Sequence, residues 1–291
     1  MIKVNGKEVK IEKYPDGTPR INFGDDNFIY RSADGYYHGR NDHNIEIYWK
    51  YDNNEEIFYL MLIKKHLENN FGTVECTRAT FNLLMPYIPN ARMDRTKSAD
   101  EVFTLKYFCD FINSLNFDHV VVLDAHSDVS VALLNKCVNM SPKSYIGACM
   151  DNNCDADNTV LYFPDAGAAK RYSGMFPNMR YCYGEKKRDW KTGKILGLEV
   201  RTNGLDLTGK DILMIDDIIA YGGSLYYSAL ELKTCGVNKI YAYATHTENS
   251  ILDKDKGTLI KLLENGTVER LFTTNSLFTG SHEKITVMEV R

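Results

Sequence analysis

Val120 to Asp124, V-V-V-L-D, is apolar at every position until it ends in an acid. A strand with one face in water alternates apolar and polar residues, so an unbroken apolar run marks a strand covered on both faces. The chain repeats this form, and strands are predicted at Ile45 to Lys50, Thr80 to Pro86, Val160 to Phe163, Met179 to Tyr183, Ile212 to Ile215 and Lys239 to Thr245. Between them, helical apolar spacing predicts helices at Asn53 to Glu68, Asp100 to Leu115, Ala168 to Met175, Ser224 to Cys235 and Thr258 to Glu264. In Asp100 to Leu115 the apolar face is read as Val102, Leu105, Phe108, Cys109 and Ile112, with Ser98 or Asp100 as N-cap. Strands alternating with amphipathic helices predict an α/β fold of mainly parallel sheets flanked by helices. In such sheets ligands bind beyond the carboxyl ends of the strands. A length of 291 residues favours two domains, or one large α/β domain, and polar residues with Pro142 interrupt the pattern near Asn139 to Lys143. The expected domains are 1–140 and 141–291.

The chain carries 35 basic and 39 acidic residues, a net charge of −4, so no general electrostatic drive toward nucleic acid or anionic lipid exists. No run approaches the ~18 to 20 apolar residues of a membrane span. Met1 to Lys10 lacks a basic segment followed by an apolar one, so no signal peptide is expected and the protein is read as cytoplasmic. Seven cysteines, odd in number and without a C-x-x-C pair, are read as buried thiols rather than as a disulfide framework or zinc site.

Two segments imitate known ligand loops. Gly204 to Lys210 resembles a P-loop, but Asp211 replaces the metal-binding hydroxyl and the segment precedes its strand instead of following it. Asp151, Asn153, Asp155 and Asp157 have the spacing of an EF-hand start, but Ala156 replaces the required Gly and Tyr162 the closing Glu, so a solvated loop is expected.

The chemistry concentrates in D-I-L-M-I-D-D-I-I-A-Y-G-G-S-L, residues 211–225. An apolar strand is expected to end in the paired acids Asp216 and Asp217, followed by a turn with Gly222, Gly223 and Ser224 that opens a helix. Amides at a helix N-terminus hold phosphate, and glycines let the backbone approach it closely. Adjacent acids suit sugar hydroxyls or Mg2+. A glycine turn with a capping serine is the plain alternative for this motif alone.

Residues 211–246, ending in Y-A-Y-A-T-H, resemble the sugar-phosphate region of the ribose-phosphate pyrophosphokinases, also called phosphoribosyl pyrophosphate synthases. Four further segments match that family in order: Y-P-D-G (14–17), M-P-Y-I-P-N-A-R-M-D-R (85–95), L-D-A-H-S (123–127) and F-P-D-A-G-A-A-K (163–170). The resemblance implies two phosphoribosyltransferase-like domains with the reaction at their junction. It also implies transfer of the β,γ-diphosphate of ATP, with Mg2+, to the 1-hydroxyl of ribose 5-phosphate. On the ATP side it implicates Asp16, Arg92 and Arg95, and at the metal His126 and Asp165. The ribosyl phosphate would fall to Asp216, Asp217, Tyr221, Gly222, Gly223 and Ser224.

G-E-K-K-R-D-W-K-T-G-K-I, residues 184–195, reads from composition as a solvated cationic loop between two strands. The family has a mobile catalytic loop there, and Lys186 and Arg188 match its charge-neutralising pair. Phosphoryl-type transfer depends on positioning and electrostatic stabilisation, which two closing cations supply.

Departures from the family pattern are Thr18 for Glu in the early motif, Met93 for Gln beside Arg92, and A-Y-G-G-S for D-T-[AG]-G-T at 220–224. The last change loses an acid and a hydroxyl and gains an aromatic ring. Two acceptors are therefore expected: ribose 5-phosphate, or a 5-substituted ribosyl phosphate such as ADP-ribose stacking on Tyr221. The family's early motif serves a neighbouring subunit, which implies a homo-oligomer. A phosphoribosyltransferase, which shares the D-D-x-x-x-x-G-G-[ST] loop, is disfavoured by the segments at 85–95 and 123–127. A catalytically silent regulatory homologue is disfavoured by the retained Lys186, Arg188, His126 and paired acids.

Overall fold

The apolar runs pair side by side as parallel strands. The computed structural model describes residues 1–23, 44–71, 73–74, 77–188 and 195–290. It divides into two compact units, Met1–Met140 and Ser141–Arg291.

Unit 1 contains β1 (Ile2–Val4), β2 (Lys7–Glu8), β3 (Lys10–Lys13), β4 (Pro19–Asn22), β5 (Asn44–Trp49), α1 (Glu55–Phe71), β6 (Thr73–Val74), β7 (Thr77–Arg78), β8 (Thr80–Leu84), α2 (Thr104–Ser114), β9 (His119–Leu123), α3 (Asp128–Leu133) and β10 (Cys137–Met140). Its six-stranded sheet runs β10-β9-β8-β5-β1-β2. The strands β5, β8, β9 and β10 are mutually parallel, and β1 turns antiparallel to β5. Two hairpins, β3–β4 and β6–β7, stand outside that sheet. Leu60, Ile63 and Leu67 of α1 and Leu105, Phe108, Cys109 and Ile112 of α2 are buried with Ile47, Leu83 and Val122 of the strands.

Unit 2 contains α4 (Lys143–Asn153), β11 (Thr159–Phe163), α5 (Ala166–Tyr172), β12 (Tyr181–Arg188), β13 (Ile195–Arg201), β14 (Asp211–Ile219), α6 (Gly223–Thr234), β15 (Ile240–Thr247), α7 (Leu259–Glu264), β16 (Arg270–Thr274) and β17 (Ile285–Met288). Its sheet runs β13-β12-β11-β14-β15-β16-β17. Every pairing is parallel except the β12–β13 hairpin. Successive residues of β14 enter opposite cores: Ile212 and Met214 join Val160, Leu225 and Ala229 on one face. Leu213 and Ile215 join Leu161, Phe163 and Tyr172 on the other. That two-sided burial is why the sequence shows no alternation there. After β11 the chain pairs first on one side with β12 and later on the other with β14, so β11 and β14 flank a topological switch point, where a crevice opens at the carboxyl ends.

The structure corrects several expectations. The second predicted helix starts at Thr104, not Asp100: Glu101 N–H bonds the Ser98 carbonyl, its carboxylate accepts from Lys97 N–H, and this turn holds the segment out of the helix. Neither Ser98 nor Asp100 is the cap, which is Phe103, and Val102 is 62% exposed. The paired acids do not end their strand, because β15 extends far enough to pair Asp216 with Ala244 and carry β14 on to Ile219. The cationic segment begins as strand, with Gly184 to Arg188 laddered against β13 and a bulge between Lys187 and Arg188; residues 189–194 lie outside the described residues. Asp151 and Asn153 belong to the end of α4 rather than to a loop. Among the described residues no group of three His, Cys, Asp or Glu is placed to hold a metal. No described helix is long and apolar enough to cross a membrane.

Candidate active site

In unit 2 the candidate residues cluster on the carboxyl edge at the switch point. Asp165 follows β11 and caps α5, its Oδ1 accepting from Ala168 N–H at 2.9 Å. Its second oxygen bonds nothing among the described residues, so capping and ligand binding are compatible in this carboxylate. Asp216 and Asp217, on the neighbouring β14, alternate across the sheet. Asp217 is buried, and its Oδ2 lies 3.2 Å from Arg171 Nη1 on α5. Asp216 keeps some open surface yet is ringed by protein. Burial first, then the adjacent Asp217 charge and more weakly that of Asp165, push its carboxyl well above the usual range. Its Oδ1 accepts from Asp217 N–H at 3.0 Å.

The turn that follows opens a helix whose first amides lack a capping side chain. Gly222 is the N-cap of α6 at φ +86°, in the left-handed region, and has no side chain to accept from those amides. A Cβ there would run into Leu259 Cβ. The first amides of a twelve-residue helix, Gly223 and Ser224 among them, are thus left for an anion. Below them Tyr162 Oη donates to Ser228 Oγ at 2.8 Å, and Ser228 Oγ donates to the Ser224 carbonyl at 2.9 Å. The Tyr221 side chain is 39% exposed at the rim.

Beside β14, the ends of β15 and β16 carry a buried polar network. His246 Nδ1 and Ser276 Oγ are 2.7 Å apart, Thr274 Oγ1 donates to the Thr245 carbonyl at 2.7 Å, and Thr273 Oγ1 donates to Thr247 Oγ1 at 2.8 Å. Satisfied in this way, these groups stiffen the edge next to the acids.

In unit 1, Arg92 and Arg95 lie in the turn after β8, and His126 follows β9, the adjacent strand. Both segments therefore sit at carboxyl ends of neighbouring parallel strands. Leu123 N–H bonds the Pro86 carbonyl at 3.0 Å and ties them together. The Arg95 side chain is 87% exposed, and the adjacent Asp94 carboxylate lies 3.5 Å from it. Asp124 is buried at φ +48°, a left-handed conformation that is strained for a non-glycine residue. Ser127 caps α3. Asp16 is not brought to this edge. It lies in the β3–β4 turn, where Thr18 N–H donates to its Oδ1 at 2.9 Å and holds its carboxyl below the ordinary value. Lys186 and Arg188 belong to the β12 backbone, paired with Leu198 and Ile195; the role expected of their side chains lies outside what is described.

Sequence reasoning missed Arg171, Tyr162 and Ser228. Arg171 follows Asp165 by six residues on α5, a spacing that no motif marks, and Tyr162 and Ser228 read as core and helix.

No family profile matches the chain. A ribose-phosphate pyrophosphokinase of Sulfurisphaera tokodaii is 28% identical over 213 residues, 71% of this chain and 68% of the relative. One from Thermococcus kodakarensis is 27% identical over 246 residues, 82% of this chain and 77% of the relative. The crystal structure of phosphoribosylpyrophosphate synthetase from Mycobacterium smegmatis covers 97% of this chain and 86% of its own at a TM-score of 0.68 and 16% identity, a likeness of fold. The chain is thus similar in sequence to ribose-phosphate pyrophosphokinases and in fold to a phosphoribosylpyrophosphate synthetase. The shared fold is two units, each a mainly parallel sheet flanked by helices.

Proposed function

We propose that the chain transfers the β,γ-diphosphate of ATP to the anomeric 1-hydroxyl of a ribosyl phosphate and releases AMP. The observation that carries this reading is the shared carboxyl edge of β11 and β14, where Asp165, Asp216 and Asp217 stand beside a glycine-lined helix N-terminus. An anion cup next to acids suits a sugar with a phosphate at one end and hydroxyls at the other. Gly223 and Ser224 amides hold the 5-phosphate, Asp216 and Asp217 meet ribosyl hydroxyls, and Arg171 fixes Asp217 in orientation. Arg92 and Arg95 bind the ATP polyphosphate, and Lys186 and Arg188 stabilise charge on the group in flight.

Mg2+ prefers one or two carboxylates plus substrate phosphates to an all-protein cage, and the open oxygen of Asp165 fits that demand. His126, a softer donor, is the second residue assigned to it by resemblance. When bound, the ion offsets negative charge on the polyphosphate.

The acceptor of ordinary members, ribose 5-phosphate, is the first reading. The exposed Tyr221 ring at the rim favours a second, ADP-ribose, whose 5-phosphate continues into a diphosphate and a stackable adenosine. The test is AMP formation from ATP and Mg2+ with each acceptor, products weighed by mass spectrometry. A gain of a diphosphate group by either acceptor is expected; no AMP with either one would overturn the reading.

A further inference from the structure

Beyond β15, a second segment reaches the same rim as Tyr221. The Tyr221 carbonyl accepts from Thr258 N–H and Thr258 Oγ1, each at 2.8 Å, and from Leu259 N–H at 3.3 Å. The loop leading to Thr258 is itself built. Asp253 Oδ1 accepts from Asp255 N–H at 3.0 Å and Lys256 N–H at 2.9 Å, and Gly257 N–H bonds the Asp253 carbonyl at 2.8 Å. A Cβ on Gly257 would lie 2.5 Å from the carbonyl oxygens of both Ile251 and Asp253. The Lys256 backbone is therefore fixed by the Asp253 carboxylate and by the tight seat of Gly257, and its Nζ lies 5.9 Å from the centre of the Tyr221 ring. A ring face attracts an ammonium without neutralising it. The Asp253 carboxylate feels the Lys256 charge, but among the described residues none lies within ion-pair distance of its Nζ, so the ammonium can still turn to an anion at the mouth of the cup.

We infer that Lys256 is an acceptor-specificity residue: its ammonium takes the outer phosphate of an acceptor whose 5-phosphate is extended to a diphosphate, while Tyr221 packs on the attached nucleoside. This rests on the diphosphotransferase reading with ADP-ribose as acceptor. The 5-phosphate fills the α6 amides in either acceptor. Only the extended one places a second anion at the rim, so the cation at Lys256 separates the two.

The test is kcat/KM for ADP-ribose and for ribose 5-phosphate in the parent enzyme, Lys256→Ala and Lys256→Arg. An ammonium–phosphate contact predicts that Lys256→Ala lowers the ADP-ribose to ribose 5-phosphate ratio about 10- to 100-fold. The loss should appear mainly in KM for ADP-ribose, and Lys256→Arg should restore most of the ratio. The side chain is exposed and the loop is held by bonds that do not involve it, so the variants fold; melting curves check this. A ratio within about twofold of the parent in Lys256→Ala, or a parent that turns over ribose 5-phosphate alone, overturns the assignment and leaves the diphosphotransferase reading intact. Absence of AMP with both acceptors overturns that underlying reading instead.

Discussion

Cys109, Cys149 and Cys182 lie in three different apolar clusters, and burial pushes each thiol up to about 12 from an ordinary value of 9.0. The thiolate, not the thiol, is the nucleophile, so these side chains are inert at neutral pH. Iodoacetamide at about pH 8 should leave all three unmodified in the native protein and label them after unfolding. Peptide mass mapping that finds any of them alkylated in the native state would contradict the burial. The same shift has a stability consequence: a pKa raised on folding lends stability that is fully present below about pH 9 and is lost as pH climbs toward about 12. At this scale residue type was informative for the glycine at 222 and for these three thiols, whereas Cys137, Cys154 and Cys235, also expected to be buried, are only partly so, and Cys76 lies outside the described residues. It was silent where a partner decides. Nothing local to Arg171 announces Asp217, and nothing local to Lys256 announces Tyr221, because those pairs form only when separate elements meet.

The helix α6 is set by a relay from the strand β11 through Tyr162 and Ser228 to the carbonyl of Ser224. Ser228→Ala removes the middle of that relay and leaves the buried Tyr162 hydroxyl without its acceptor, at a cost of roughly 1–3 kcal/mol. Thermal melting should report the loss. KM for the ribosyl phosphate should rise severalfold with KM for ATP little changed, since in the proposed site the displaced amides serve only the acceptor. Equal rises in both constants would argue against the relay. Elements with unbroken apolar runs, such as β9, β11 and β14, were legible because burial on two faces writes itself into composition. The strands β1 and β17 and the helices α3 and α4 were not, being short or at sheet margins where polar residues are tolerated. The end of β14 was misplaced for a related reason. Acids normally signal a strand's exit, but here Arg171 and a backbone amide accommodate them inside the ladder.

At the scale of the whole molecule, Asp16 poses the main question, since it lies in a hairpin outside the six-stranded sheet of its unit. If it serves the ATP site of a neighbouring subunit, as the resemblance implies, variants impaired at different places should rescue one another. Co-expressing Asp16→Ala with Asp216→Asn should give mixed oligomers that form more AMP than either variant alone. A strictly monomeric protein by light scattering, or no recovery on mixing, would rule that role out. The parallel sheets could be anticipated from the alternation of strands and helices, whereas a shared ATP site is suggested only by the resemblance of the early motif. The seat of Gly222 against Leu259 has one more consequence, an evolutionary one. Backbone bonds and a glycine fix the course of the loop, while the side chain at 221 hangs outside the core. Selection can thus exchange that side chain at little risk to the scaffold, and a lineage adopting a new substrate would find its cheapest first step there.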